Sequence, residues 1–223
     1  FNQNSKYHSM NLTDHLFSVL NISKKNNKYQ LNTFSQSICL SLAALLHDIS
    51  KYRYHETKED GTFSYHGHEE KSAEMAEAIL KRLKYSNDEI ELVKFLIANH
   101  MVLKQHYDYV SGKYTGSTRY TRKLLRLTSL GANTTADTKA RLYLLMQLID
   151  ADNLSHAPKY CMPGQVDSFY DKCKEVLAGN PVTQLKQPVS GKEIMDLIGI
   201  EKPGKIIGDI KEILQILFDT YPN

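Results

Sequence analysis

No run in this chain is long and apolar enough to cross a bilayer. The most apolar stretch, Ser37 to Leu46, is about half the ~20 residues a spanning helix needs, and it reads as a core helix; no membrane partner is expected. Cysteine is scarce. The three present, Cys39, Cys161 and Cys173, are scattered and odd in number, which excludes a fully paired disulfide framework and leads us to expect free thiols in a reducing cytoplasm. A signal-peptide pattern is absent and the sequence starts at Phe1 without Met, from which we expect a fragment of a longer protein. Charge of one sign is lacking too: 28 Lys and Arg against 25 Asp and Glu leave +3, which neither demands nor forbids a polyanionic partner. With 11 Gly, 6 Pro and 41% apolar residues, the composition excludes collagen-like and disordered chains. What remains is an ordinary globular chain of 223 residues, one domain or one domain with a small appendage.

Alternating runs of Val, Ile and Thr are also missing, whereas apolar residues recur three and four apart almost throughout, so the expected fold class is all-α. The spacing predicts a first helix over Leu12–Lys24 with His15 on its inner stripe, a polar linker from Lys24 to Asn32, and a central helix over Thr33–Ile49. Lys51–Gly67, with its Asp60-Gly61 turn, reads as a long loop holding at most one short hairpin. Helices over His68–Tyr85 and Asp88–Val102, separated by Ser86-Asn87, form a helical hairpin. The Tyr-rich stretch His106–Tyr120 reads as an exposed loop. Beyond it come a short helix carrying Arg119, Arg122, Lys123 and Arg126, then helices over Thr138–Ser155 and Gly164–Leu177. Gly179–Gly191, with Pro181 and Pro188, is the clearest linker. It divides a helical domain, residues 1–178, from a C-terminal subdomain, residues 179–223, that holds helices over Gly191–Leu197 and Gly204–Phe218.

The informative dipeptide is His47-Asp48, which ends an apolar helix where an imidazole and a carboxylate need compensation. His15 faces the same core from the first helix, and Asp152 faces it from near the end of a later one. Two His and two Asp on rigid helices suit a divalent cation such as Mn, Fe, Ni, Co or Zn; a polar core that merely hydrogen-bonds is the alternative. His68 starts one arm of the helical hairpin and His100 ends the other, so its open end brings them together, for a second cation or for a substrate phosphate. Asp150 competes with Asp152 for the ligand role. Lys51, three residues beyond Asp48, is a candidate for holding phosphoryl charge in the transition state.

The order His, His-Asp, His, His, Asp resembles the HD-domain superfamily of metal-dependent phosphohydrolases, with His15, His47, Asp48 and Asp152 at its signature ligand positions. The stretches Lys6-Tyr7-His8-Ser9, Leu46-His47-Asp48-Ile49-Ser50-Lys51, Tyr65-His66-Gly67-His68-Glu69-Glu70, Asn99-His100-Met101 and Asp150-Ala151-Asp152-Asn153, with Ser190-Gly191-Lys192-Glu193 and Lys202-Pro203-Gly204, are similar to the HD-containing tail of bacterial tRNA nucleotidyltransferases and poly(A) polymerases. Ser50 stands where that family commonly has Gly, and the nucleotidyltransferase head with its paired carboxylates is not in this sequence.

The resemblance implies one or two divalent metal ions held by His15, His47, Asp48, Asp152, His68 and His100, with Asp48 and Lys51 catalytic. His8, His66, Arg119 and Arg122 are further candidates for contacting the substrate. The expected activity is hydrolysis of a phosphomonoester or a 2′,3′-cyclic phosphodiester on nucleotides, tRNA or an RNA 3′ end. The alternative is a non-catalytic tRNA-binding body whose catalytic head lies elsewhere.

Overall fold

The structure, a computed structural model, describes residues 1–25, 33–129, 135–178, 189–199, 202 and 204–220. Among these the chain is all-α apart from two minimal hairpins. The helices are α1 (Leu12–Lys25), α2 (Phe34–Leu46), α3 (His68–Arg82), α4 (Asn87–Asn99), α5 (Thr118–Ser129), α6 (Thr135–Leu154), α7 (Gln165–Ala178), α8 (Gly191–Ile198) and α9 (Lys205–Thr220). None is long and apolar enough to cross a membrane.

Local chemistry sets the helix starts. The Thr33 hydroxyl accepts from the Gln36 amide at 3.2 Å to open α2. Ser86 and Glu89 close a reciprocal capping box at α4, and Ser190 and Glu193 repeat it at α8. Gly199, left-handed at φ 69°, ends α8. The predicted α3–α4 hairpin is present, and these two helices pack closely. The expected linker over 179–191 lies outside the described residues as far as residue 188, as does most of the one from Lys24 to Asn32. Of the C-terminal helices, α8 packs on α9, and α9 also lies against α5.

The core runs through α1 to α7, with Val19, Leu40, Ala43, Leu80, Val93, Leu96, Leu145, Leu148 and Phe169 all but fully buried. The central position expected for α2 is shared with α6, which is surrounded by α1, α2, α4, α5 and α7. Leu142, Leu144, Leu145, Met146, Leu148, Ile149 and Ala151 are accordingly buried around nearly its whole circumference.

In the Lys51–Gly67 segment, Ile49–Tyr52 forms a 3-10 turn, and β1 (Glu56–Thr57) pairs antiparallel with β2 (Phe63–Ser64). The Tyr-rich stretch departs from the expected exposed loop. It folds as a second hairpin, β3 (Tyr107–Asp108) against β4 (Lys113–Tyr114), turned at Gly112 with φ 67°. Tyr114 is buried edge-on to Phe169, and its hydroxyl lies 3.2 Å from Thr121 Oγ1. A Cβ at position 116 would collide with the Tyr114 ring, so the chain needs glycine there to pass it.

The segment before α1 is a strap. The Asn4 carbonyl accepts from the Phe63 amide at 3.0 Å, and the Tyr7 carbonyl from the Ala157 amide at 2.8 Å. These bonds hold residues 4–8 between the first hairpin and the end of α6, and carry His8 over the bundle end.

Candidate metal centre

Five helices each bring one polar group to the same end of the bundle. His15 stands in the first turn of α1, His47 at the C-cap of α2, His68 at the start of α3, His100 at the C-cap of α4, and Asp152 in the last turn of α6; Asp48 follows His47. All six are 5% exposed or less. Asp48 divides its two oxygens: Oδ2 lies 3.4 Å from both His15 Nε2 and His47 Nε2, while Oδ1 lies 3.1 Å from His68 Nε2 and 3.7 Å from His100 Nε2. Asp152 Oδ1 closes the first group, 3.2 Å from His15 Nε2 and 3.7 Å from His47 Nε2.

Three of the imidazoles are oriented in one way. Nδ1 of His47, His68 and His100 meets the backbone carbonyl three residues earlier, Ala44 at 3.0 Å, Tyr65 at 2.6 Å and Ile97 at 2.7 Å. A carbonyl only accepts, so each Nδ1 carries the proton and each Nε2 turns a lone pair toward the carboxylates. Lone pairs facing anions repel unless a cation lies between them. His15 Nε2, His47 Nε2, His68 Nε2 and Asp48 Oδ1 are in fact buried without a hydrogen-bond partner. Three triads, His15–His47–Asp48, His47–His100–Asp152 and Asp48–His68–His100, each bring their donor atoms within 4.8 Å of one another. The donor set fits a divalent metal, and a carboxylate with one oxygen toward each histidine pair fits two.

Without a cation, the buried carboxylates are offset by neighbouring lysines and by a proton on His15. Burial alone would raise Asp48, but Lys51, His47 and the other imidazoles hold it well below the usual carboxylate range. Asp152 is held down in the same way by His156, Lys104, His15 and His47 against its burial. His15, despite burial, is pushed up to about 9 by these two carboxylates. His100 goes the other way, to about 3, because burial and His47 both oppose its charge.

Lys51 Nζ lies 2.5 Å from Asp48 Oδ2 and 3.3 Å from His8 Nε2, so the lysine links His8, another sequence candidate, to the carboxylate. Ser50 is buried beneath them: its hydroxyl donates to the His68 carbonyl at 2.9 Å and fixes the start of α3 against the turn after Asp48. Asp150, two residues before Asp152 and so about 200° around the helix, belongs to none of the triads. A cleft of about 620 Å³ opens onto the site, with His8, Lys51, His68, His100 and Asp152 in its wall and Tyr7, Tyr109 and Tyr160 at its rim. His66 is exposed and lines this cleft and a smaller neighbour of about 450 Å³. Arg119 and Arg122 line neither: Arg119 is exposed on α5, and Arg122 is buried on its inner side. Sequence reasoning did not find Lys104 and His156, both in the cleft wall, because no local pattern joins two residues 52 positions apart.

The model of the HD domain family matches residues 12–154, from the start of α1 to the end of α6, a span that includes every residue of the triads. No curated protein and no solved structure matches the chain.

Proposed function

Since the chain belongs to the HD domain family, we propose that it is a divalent-metal-dependent phosphohydrolase acting on phosphomonoesters and 2′,3′-cyclic phosphodiesters of nucleotides or RNA 3′ ends. The observation that carries this reading is the set of imidazoles whose Nδ1 protons are spent on backbone carbonyls while their Nε2 lone pairs face two buried carboxylates. His15, His47, Asp48 and Asp152 would hold one cation, and His68 and His100 with the second oxygen of Asp48 another. A divalent cation there supplies a Lewis acid for phosphoryl oxygens and acidifies water toward neutral pH.

The chain's own residues do the rest. Asp48 and Asp152 stay ionised throughout the neutral range. Lys51, tethered between Asp48 and His8, presents an ammonium to the cleft where charge grows on phosphorus-bound oxygens. The tyrosines at the rim offer flat faces to a base, which favours a nucleotide-like ester over a small alkyl phosphate. Cys39 and Cys173 are buried in the apolar core, and the Ser50 hydroxyl is committed to His68, so no side-chain nucleophile faces the cleft from these positions.

Reconstitution tests the reading. Chelated protein reloaded with Mn, Fe, Ni, Co or Zn is assayed on p-nitrophenyl phosphate, 2′,3′-cyclic AMP and bis-p-nitrophenyl phosphate. Turnover that returns with metal supports it. Failure of every metal on every ester, with tight tRNA binding by the metal-free chain, would replace it with the non-catalytic tRNA-binding body.

A further inference from the structure

The site holds a second lysine. Lys104, in the turn after α4, places Nζ 2.6 Å from His156 Nε2 and 3.6 Å from Asp152 Oδ2. This repeats the arrangement at Lys51, whose Nζ lies between His8 Nε2 and Asp48 Oδ2. Each carboxylate thus has its own lysine, and each lysine its own imidazole acceptor. The His8 and His156 rings stand 5.0 Å apart, so the two couples adjoin.

His156 is set to receive. An ammonium only donates, so the short 2.6 Å contact takes the Nε2 lone pair and puts the ring proton on Nδ1, which lies 3.3 Å from the Asn153 carbonyl and 3.4 Å from Nζ. Asp152 is within ion-pair distance of Nζ but beyond hydrogen-bond reach, so the ammonium, with three donors, keeps hydrogen-bonding capacity for the cleft. Lys104 is 23% exposed at its side chain and lines both clefts, the larger over Asp152 and the smaller behind His66 and His68. A lysine serving only as counter-ion to Asp152 would not need an opening on both.

We propose that Lys104, positioned by His156, is a second ligand for the phosphoryl oxygens of the substrate, holding them from the Asp152 side while Lys51 holds them from the Asp48 side. The proposal deepens the phosphohydrolase reading and rests on it.

Binding of inorganic phosphate at pH 8 to the manganese-loaded chain, followed by calorimetry with metal content measured on the same samples, tests this independently of turnover. Lys104→Met should weaken phosphate by about tenfold or more while metal content and melting temperature hold, and Lys104→Arg should stay within about threefold of wild type. His156→Gln, which keeps an acceptor but shifts it, should raise KM for p-nitrophenyl phosphate more than it lowers kcat. Should Lys104→Met fail to fold, Lys104→Gln replaces it. Unchanged phosphate affinity without the lysine overturns the proposal, as does metal loss that accounts for the phosphate loss, which would make Lys104 a support of Asp152 alone. Lys104-dependent phosphate binding with no ester turned over would remove the hydrolase reading and keep the anion site. Turnover with phosphate affinity indifferent to Lys104 would do the reverse.

Discussion

The bundle has two interiors made by the same helices. On α1 a single turn separates Val19 from His15; on α4 it separates Leu96 from His100, and on α6 Leu148 from Asp152. α2 passes from Leu40, Ala43 and Ala44 to His47, and α3 from His68 to Ala76 and Leu80. Both interiors are almost fully buried, yet their physics is opposite. The hydrocarbon end gains roughly 25 cal/mol for each Å² of apolar surface removed from water, whereas every ionised or polar group at the other end loses its hydration. The contrast teaches a division of labour: the hydrocarbon end stabilises the bundle, and that surplus offsets the hydration lost by six buried polar side chains at the other end.

The largest test of this contrast is at Asp48, which faces all four histidines. Asp48→Asn keeps the shape and removes the charge, so we expect metal to be lost and turnover to fall by on the order of 10³-fold, worth several kcal/mol of transition-state stabilisation. The fold should survive, as read by circular dichroism. Retained metal with unaltered turnover would show that the polar end is only a hydrogen-bonded core.

The matching change at the hydrocarbon end is Leu96→Ala, at a fully buried site, which should destabilise by about 2–5 kcal/mol through lost burial and a cavity. Metal stoichiometry of the folded fraction should stay at the wild-type value. Equal loss of stability and metal would mean that the two ends are not separable.

A third test is pH, in the metal-free chain. Burial holds His100 at about 3, His156 at about 4 and His8 at about 2, all below the ordinary 6.5. The unfolded chain binds protons there that the folded chain does not, so stability falls as pH drops below 6.5. His15 has the opposite sign: raised to about 9 by Asp152 and Asp48, it contributes fully below 6.5 and loses that contribution as pH rises to 9. Thermal melts in chelator should therefore peak near pH 6.5, with flanks lower by roughly 5 °C or more, as a few kcal/mol gives in a chain of this size. Saturating manganese should reverse the alkaline flank, because proton and cation compete for His15. A flat profile would mean that the polar end is not electrostatically coupled as its distances imply.

How legible each part was in the sequence follows from how local its cause is. His15 and Asp152 lie on apolar helical stripes, His47-Asp48 ends one, and His68 and His100 begin and end two arms of a helical hairpin, so spacing, with the family resemblance that favours Asp152 over Asp150, brings them together. Lys104 and His156 were not legible. One sits in a turn with no period, the other after α6, and only tertiary packing joins them. The second hairpin was hidden because strands of two residues show no alternation. Arg119 and Arg122 were placed at the substrate on charge alone, but Arg122 lies beside Thr121, Leu124 and Leu125 on the buried stripe of α5, which turns it away from the cleft.

The smallest expected effect is at the seam between the two interiors. Ser50 receives no role in the chemistry, yet it is fully buried and bonded on both sides: its hydroxyl donates to the His68 carbonyl at 2.9 Å and accepts from Ser72 Oγ at 2.9 Å, and its amide donates to the same Ser72 oxygen at 3.1 Å. Ser50→Ala removes the hydroxyl and leaves the amide bond, so a buried carbonyl loses a donor and the buried Ser72 hydroxyl loses its acceptor, a loss of about 1–3 kcal/mol. That carbonyl belongs to His68, whose ring faces Asp48 Oδ1, whereas His15 and His47 face Oδ2. The affected ligand is therefore on one side only. Metal titration of Ser50→Ala should show the weaker site loosened by a few-fold and the tighter one unchanged, with turnover within about tenfold of wild type, consistent with a displaced ligand rather than a lost reactant. Turnover abolished while both equivalents of metal stay bound would make Ser50 a nucleophile and overturn its reading as the pin that holds α3 to the metal end.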